Sequence, residues 1–203
     1  MVVLSEDEKN IPICDTNILI SFGLSDFIGE FIDFNKKIFV ADNVLLELER
    51  KFNRNTEYSY LLQNVKNNEN INVINKDEYF TEDRILVMNA SLNQYKLIED
   101  CLLTGDLCPD SGEFISAIYA ANLEIRKFIT NDLKFINKYK DEFIFKGLSF
   151  INMTQVLDKI IGKEKRKGVV LDINRKSKEM EDTLTKEKVL EKFEKWSLKL
   201  SCI

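Results

Sequence analysis

Five carboxylates stand where apolar runs of the chain end: Asp15, Glu47, Asp110, Glu113 and Asp132. Asp15 is the most conspicuous. It breaks the apolar run "IPICDTNILISF", Ile11 to Phe22, and apolar character resumes after it. An aspartate is almost never fully buried unless it is paired or bound to a metal, so the fragment asks what pairs Asp15. The chain has no histidine, and histidine is the commonest general base near neutral pH. Ser-His-Asp hydrolysis, Cys-His proteolysis and two-histidine ribonuclease chemistry are therefore excluded. An enzyme with this composition works through carboxylates, Lys, Tyr, Cys or a metal held by oxygen ligands.

The elements around these acids explain why they would meet. Ile11–Cys14 reads as a short buried strand, and Ser25 can cap a helix reaching about Phe34. Ile38–Ala41 is a second strand. Asp42 or Asn43 then caps a helix over "VLLELERKF", with Glu47 about one turn in. Asn53–Asn70 is Asn-rich without a clean period and reads as loop or irregular helix ends. "INVIN" reads as an edge strand, Thr81–Leu103 as helical, and "TGDLCPDSGE" as turn chemistry. Asp110 and Glu113 open the compact helix "EFISAIYAANL". "IRKFIT" is a strand, with Asp132 and a helix start after it, and "GLSFINM" and "TQVLDKII" supply a further strand and helix. Strands alternating with helices predict an α/β domain with a mostly parallel sheet. Such sheets bind ligands beyond the carboxyl ends of their strands, where these acids fall.

At 203 residues the chain has the length of one domain, residues 1–161, with an appendage, residues 162–203. The net charge of −5 is unevenly spread: residues 162–203 hold 12 Lys/Arg against 8 Asp/Glu, and residues 1–161 hold 17 against 26. The overall balance argues against passive neutralisation of nucleic-acid phosphates by the whole chain. Val189, Phe193, Trp196 and Leu200 recur at helical spacing, predicting a basic, helical C-terminal extension. No run approaches the ~18 apolar residues of a membrane helix, and no secretory leader is legible at the start. The four cysteines, Cys14, Cys101, Cys108 and Cys202, are scattered, which suits reduced thiols in a cytoplasm.

The stretches "ICDTNILI", "VLLELE", "SGEFISAIYAANL" and "FITNDLKF" together resemble the successive acidic motifs of PIN-domain nucleases, in the expected order across Ile11 to Ile161. The resemblance implies a three-layer α/β fold with a mostly parallel central sheet flanked by helices. It implies a divalent-cation-dependent ribonuclease, of toxin or RNA-processing type, with RNA as substrate and an antitoxin, another protein or a second copy as partner. By motif match Asp15, Glu47, Glu113 and Asp132 form the acidic cluster and hold the metal, with Asp110 in support. Thr16, Asn17, Thr130 and Asn131 sit beside the acids, placed to hydrogen-bond them or a ligated water. Many family members carry Asp where this chain has Glu113. Converging carboxylates do not all stay ionised without a compensating cation, and Mg2+ or Mn2+ suits oxygen ligands. Such an ion would activate water and stabilise charge on the scissile phosphate, leaving 5′-phosphate and 3′-hydroxyl ends.

Each acid also has a plainer reading. Asp15 and Asp132 are placed to cap helices. Asp110 and Glu113 fit a capping box. Glu47 with Glu49 fits a solvated helix face. A non-catalytic PIN-like module that binds RNA or protein is the alternative function. A phosphatase with Asp15 as nucleophile is disfavoured by Asn17, where such enzymes commonly carry a second Asp. No GxGxxG follows any predicted strand, which disfavours dinucleotide binding.

Overall fold

A computed structural model of the chain describes residues 2–52, 57–94 and 112–200, without the side chains of residues 189 and 191–200. The strands are β1 (Ile13–Cys14), β2 (Ile38–Ala41), β3 (Ile71–Ile74), β4 (Lys127–Ile129) and β5 (Ser149–Ile151). Among the described residues the helices are α1 (Thr16–Leu24), α2 (Ile28–Asn35), α3 (Asp42–Phe52), α4 (Ser59–Lys66), α5 (Lys76–Tyr79), α6 (Glu82–Gln94), α7 (Gly112–Asn122), α8 (Leu133–Tyr139), α9 (Met153–Ile160) and α10 (Gly162–Leu200). The five strands form one sheet in the order β3-β2-β1-β4-β5, and every pairing is parallel. This is the expected three-layer α/β architecture with a C-terminal helical segment.

The short central strand is dictated by its residues. Ile13 and Cys14 are fully buried and pair on both sides, with Phe39 and Val40 of β2 and with Phe128 and Ile129 of β4. Parallel strands covered on both faces read as continuous apolar runs rather than alternating ones. Helix α1 is likewise buried almost all round, with only Asn17 exposed among its nine residues, as a helix apolar on every side must be. Gly23 lets it approach α4, because a Cβ there would lie 2.5 Å from Leu61 Cδ2. Helix α7 packs on β1, β2 and β4, while α1, α2, α4, α9 and α10 pack among themselves.

Two local expectations are corrected. Ser25 does not open a helix: it follows α1, its hydroxyl donating to the Phe22 carbonyl at 3.0 Å. Helix α2 begins only at Ile28, after Asp26 takes a left-handed φ of 61°. The Asn-rich stretch is not all loop either, since Ser59–Lys66 is a helix burying Leu61, Leu62 and Val65. Asparagine's weak helix propensity is overridden there by three core anchors at helical spacing.

The C-terminal helix is packed on the rest of the chain as far as Leu184. Ile173, Met180 and Leu184 are buried at spacings of seven and four residues, a single seam. Arg166 Nη1 reaches both carboxylate oxygens of Asp158, at 2.8 and 2.7 Å. Lys176 Nζ lies 3.4 Å from Asp26. The helical spacing read at Val189, Phe193, Trp196 and Leu200 falls on side chains outside the described residues. Among the described residues no helix is long and apolar enough to cross a membrane.

Candidate functional site

The chain runs from β1 outward through β2 to β3, then returns to the other side of β1 for β4 and β5. The reversal lies between β1 and β4, and α/β sheets open their ligand crevice at such a switch point, beyond the carboxyl ends of the strands. Asp15 follows β1, and Thr130, Asn131 and Asp132 follow β4. The Asp15 N–H donates to the Ile129 carbonyl at 3.2 Å, which fixes the two strand ends side by side.

Asp15 is fully buried, and the structure answers what pairs it. Its Oδ1 accepts from the Ile18 N–H at 2.7 Å, capping α1. Its Oδ2 accepts from Thr130 Oγ1 at 2.5 Å, and the Asn131 N–H also bonds the carboxylate. Thr130 Oγ1 in turn accepts from the Asp132 N–H at 3.1 Å. Burial pushes the Asp15 carboxyl up to about 7. The three donors oppose that rise and the Glu113 charge adds to it. Burial also raises the adjacent Cys14 thiol, with the Asp15 charge adding to the effect. Thr130→Val keeps the shape of the side chain and removes the bridge. It leaves a buried carboxylate oxygen without its donor, at a cost of roughly 1–3 kcal/mol. The expected result is a lower urea midpoint with an unchanged slope.

Glu47 and Glu113 approach from the other side. Glu47 lies one turn into α3, where Thr16 Oγ1 donates to its Oε2 at 2.5 Å and Asn43 Nδ2 to its Oε1 at 3.3 Å. Its carboxylate rests against the start of α7, where a Cβ on Gly112 would stand 2.7 Å from Oε2. Glu113 Oε1 accepts from Asn17 Nδ2 at 3.0 Å. Burial raises the Glu113 carboxyl, the charges of Glu47 and Asp132 raise it further, and Asn17 opposes them. Asp132 caps α8, its Oδ1 accepting from the Lys134 and Phe135 N–H groups at 2.8 and 2.9 Å.

The capping reading holds for two of the acids, and charge effects link all four. Asp15 and Asp132 are helix caps, and the four acids also act on one another: Asp15 with Glu113, and Glu113 with Glu47 and Asp132. Asp110 lies outside the described residues. Thr16, Asn17 and Thr130 hydrogen-bond the acids through their side chains, and Asn131 does so through its backbone.

The donor set suits Mg2+ or Mn2+, hard cations that take oxygen ligands and are held through one or two carboxylates plus waters. The strongest influences on Asp15 and Glu113 include no basic side chain, so a cation would relieve both. Among the described residues, however, no three acidic side chains stand close enough together to hold a single ion. Asp15 and Asp132 are committed to helix caps, and Glu47 and Glu113 to Thr16 and Asn17.

Beside the acids a cleft of about 340 Å3 opens between α1, α3, the loop after β4 and α10. Its lining includes Asn17, Asp132, Lys51, Asn174, Ser177 and Glu181. The cleft walls desolvate the Lys51 ammonium and hold it below its ordinary value, while Glu181 and Glu47 pull it back up. Sequence reasoning missed Gly112, Asn43, Lys51 and the α10 residues. Lys51 stands four residues after Glu47, on the same helix face, which was a usable signal. The α10 residues carried none, because only the tertiary fold brings them to the crevice.

No family model, curated protein or solved structure matches the chain.

Proposed function

We propose that the protein is a PIN-like, divalent-metal-dependent endoribonuclease that hydrolyses RNA phosphodiesters using Asp15, Glu47, Glu113 and Asp132. The observation that carries this reading is the buried Asp15 at the sheet's switch point, clamped by Thr130 and within the electrostatic reach of Glu113. Mg2+ or Mn2+, bound by these carboxylates, would supply the activated water and the charge stabilisation at phosphate. The chain's own residues prepare the site. Thr130 and two backbone N–H groups hold Asp15, Thr16 and Asn43 aim Glu47, and Asn17 aims Glu113. RNA is the substrate, with 5′-phosphate and 3′-hydroxyl product ends. An antitoxin, another protein or a second copy of the chain is the partner class that goes with a PIN-like nuclease. A cytoplasmic location agrees with the buried free thiol of Cys14 and with chemistry on RNA.

The test is incubation of the pure protein with mixed RNA, in Mn2+ and in EDTA. Cleavage in Mn2+ that EDTA removes is the expected result. Absence of cleavage across single-stranded and structured RNA, together with no metal binding by calorimetry, would sink the reading. One observation favours a second reading, a non-catalytic PIN-like module binding RNA or protein: no three described acids stand at single-ion spacing. That reading predicts RNA retention in EDTA without cleavage in either condition.

A further inference from the structure

Helix α10 gives the crevice a second wall, and the chemistry of that wall is specific. The cleft's volume of about 340 Å3 is at the small end of the ~300–1,000 Å3 of small-molecule sites. That is room for one nucleoside-sized unit, not for a duplex. The cleft presents more polar than apolar surface, and its buried floor is Ile20, Ile173 and Met180 with the hydroxyl residue Ser21. Side-chain amides line it from three directions: Asn17 from α1, Asn131 from the loop after β4, and Asn174 from α10, with Ser177 one turn further on. Asn17 and Asn131 touch the acids themselves, since Asn17 donates to Glu113 and the Asn131 N–H bonds Asp15. Asn174 and Ser177 are not spent in that way. Among the described residues no hydrogen bond to protein engages either side chain.

Apolar side chains flanked by amides are what hold an unstacked nucleobase. Apolar groups take the ring face, and an Asn amide offers a paired donor and acceptor to the base edge. The lining sets one cation, Lys51, against two acids, Asp132 and Glu181, and with that balance its neutral amides and hydroxyl suit a base better than a phosphate, which calls for cationic groups.

We infer that this cleft reads the base of the nucleotide next to the cleaved phosphate, with Asn174 and Ser177 of α10 as its specificity-determining residues. The position of that base relative to the cleaved bond rests on the nuclease reading above, whereas base binding rests on the cleft. A single-stranded substrate follows, because a base stacked in a duplex does not present its faces to protein.

The test is titration of the full chain with adenosine, guanosine, cytidine and uridine, followed through the side-chain amide NMR signals of Asn17, Asn131 and Asn174. One or two nucleosides should bind at least about fivefold more tightly than the weakest and shift Asn174, since one hydrogen bond to a base edge is worth about that ratio. Asn174→Ala with Ser177→Ala should weaken the best nucleoside about tenfold and level the ranking. Asn174→Asp, which keeps the shape and replaces donors with acceptors, should reorder it. Thermal melts should match the wild type, because Asn174 is exposed and Ser177 half-buried. Equal binding of all four nucleosides, no binding, or a ranking that survives both substitutions overturns the inference. A levelled ranking in wild type with RNA cleavage intact removes the pocket and leaves the nuclease. Ranked binding in a protein that cuts no RNA leaves the pocket and removes the nuclease.

Discussion

Asp15→Asn is expected to lower metal-dependent RNA cleavage by about a thousandfold or more, and the same substitution is expected to stabilise the metal-free protein above neutral pH. The first effect follows from removing the charge that anchors the site, several kcal/mol of transition-state stabilisation. The second follows from burial. The Asp15 carboxyl is pushed up to about 7 in the folded protein, against about 3.9 in an unfolded chain. A carboxyl with a raised folded value binds its proton more tightly when folded. Acid therefore favours the folded state, and stability falls as pH climbs from about 4 to about 7. Above that window the ionised Asp15 costs on the order of 4 kcal/mol.

Asparagine has the shape of the protonated acid and no charge to bury. Its Oδ1 can still accept from the Ile18 N–H, and its amide can donate to Thr130 Oγ1 once that hydroxyl turns. Near pH 8 the metal-free variant should melt several degrees above the wild type, at ~2–4 °C per kcal/mol for a chain of this length. Near pH 4 the two should converge. Mn2+ should raise the wild-type melting temperature in the upper window, by binding the folded state alone, and leave the variant unmoved. Calorimetric scans at the two pH values with and without Mn2+ read all of this. A variant less stable than wild type at pH 8 would mean that the three donors fully offset the cost of burying the Asp15 charge.

The fold was legible wherever a buried strand announces itself by composition. Each strand was placed within a residue or two: β1 and β2 are buried and apolar throughout, as parallel strands covered on both faces are, and β3, β4 and β5, which carry Asn72, Lys127 and Ser149, still end at Asn or Thr. Helix boundaries were less legible. Ser25 carries a good capping side chain, yet the next helix starts three residues later, since the left-handed turn at Asp26 intervenes. Helix α4 was hidden because its stability comes from Leu61, Leu62 and Val65 meeting α1 and α3, a tertiary term that overrides local composition. At the site, the acids were readable from their place after strands. Their hydrogen-bond partners were readable because each stands beside another acid of the set: Thr16 and Asn17 follow Asp15 but hold Glu47 and Glu113, and Thr130 lies two residues before Asp132 but holds Asp15. The contact of Gly112 with Glu47, and the arrival of α10 at the crevice, join residues far apart in the chain. No local pattern encodes either one.

Gly112→Ala tests that long-range contact where stability and activity part company. Gly112 opens α7, and a Cβ there would stand 2.7 Å from Glu47 Oε2, 2.9 Å from Oε1 and 3.1 Å from Cδ. Something must move, and what moves is the end of a flexible glutamate rather than backbone. The fold should hardly register the change: alanine gains up to ~1 kcal/mol of helix propensity over glycine, against the loss of the Thr16–Glu47 hydrogen bond, about 1 kcal/mol. The site should register it strongly. Relief of the clash displaces the Glu47 carboxylate by roughly an ångström, and misplacement on that scale costs on the order of a hundredfold in rate. The expected result is a melting temperature within about 3 °C of wild type, with cleavage reduced tens to a hundredfold and a higher Mn2+ requirement. Glu47→Gln provides the comparison, because it keeps the side chain's reach and removes its charge. If Gly112→Ala cuts RNA at the wild-type rate while Glu47→Gln does not, the charge of Glu47 matters and its position against α7 does not. If neither substitution slows cleavage, Glu47 is a solvated helix residue held by Thr16, and the site is built from Asp15, Glu113 and Asp132 alone.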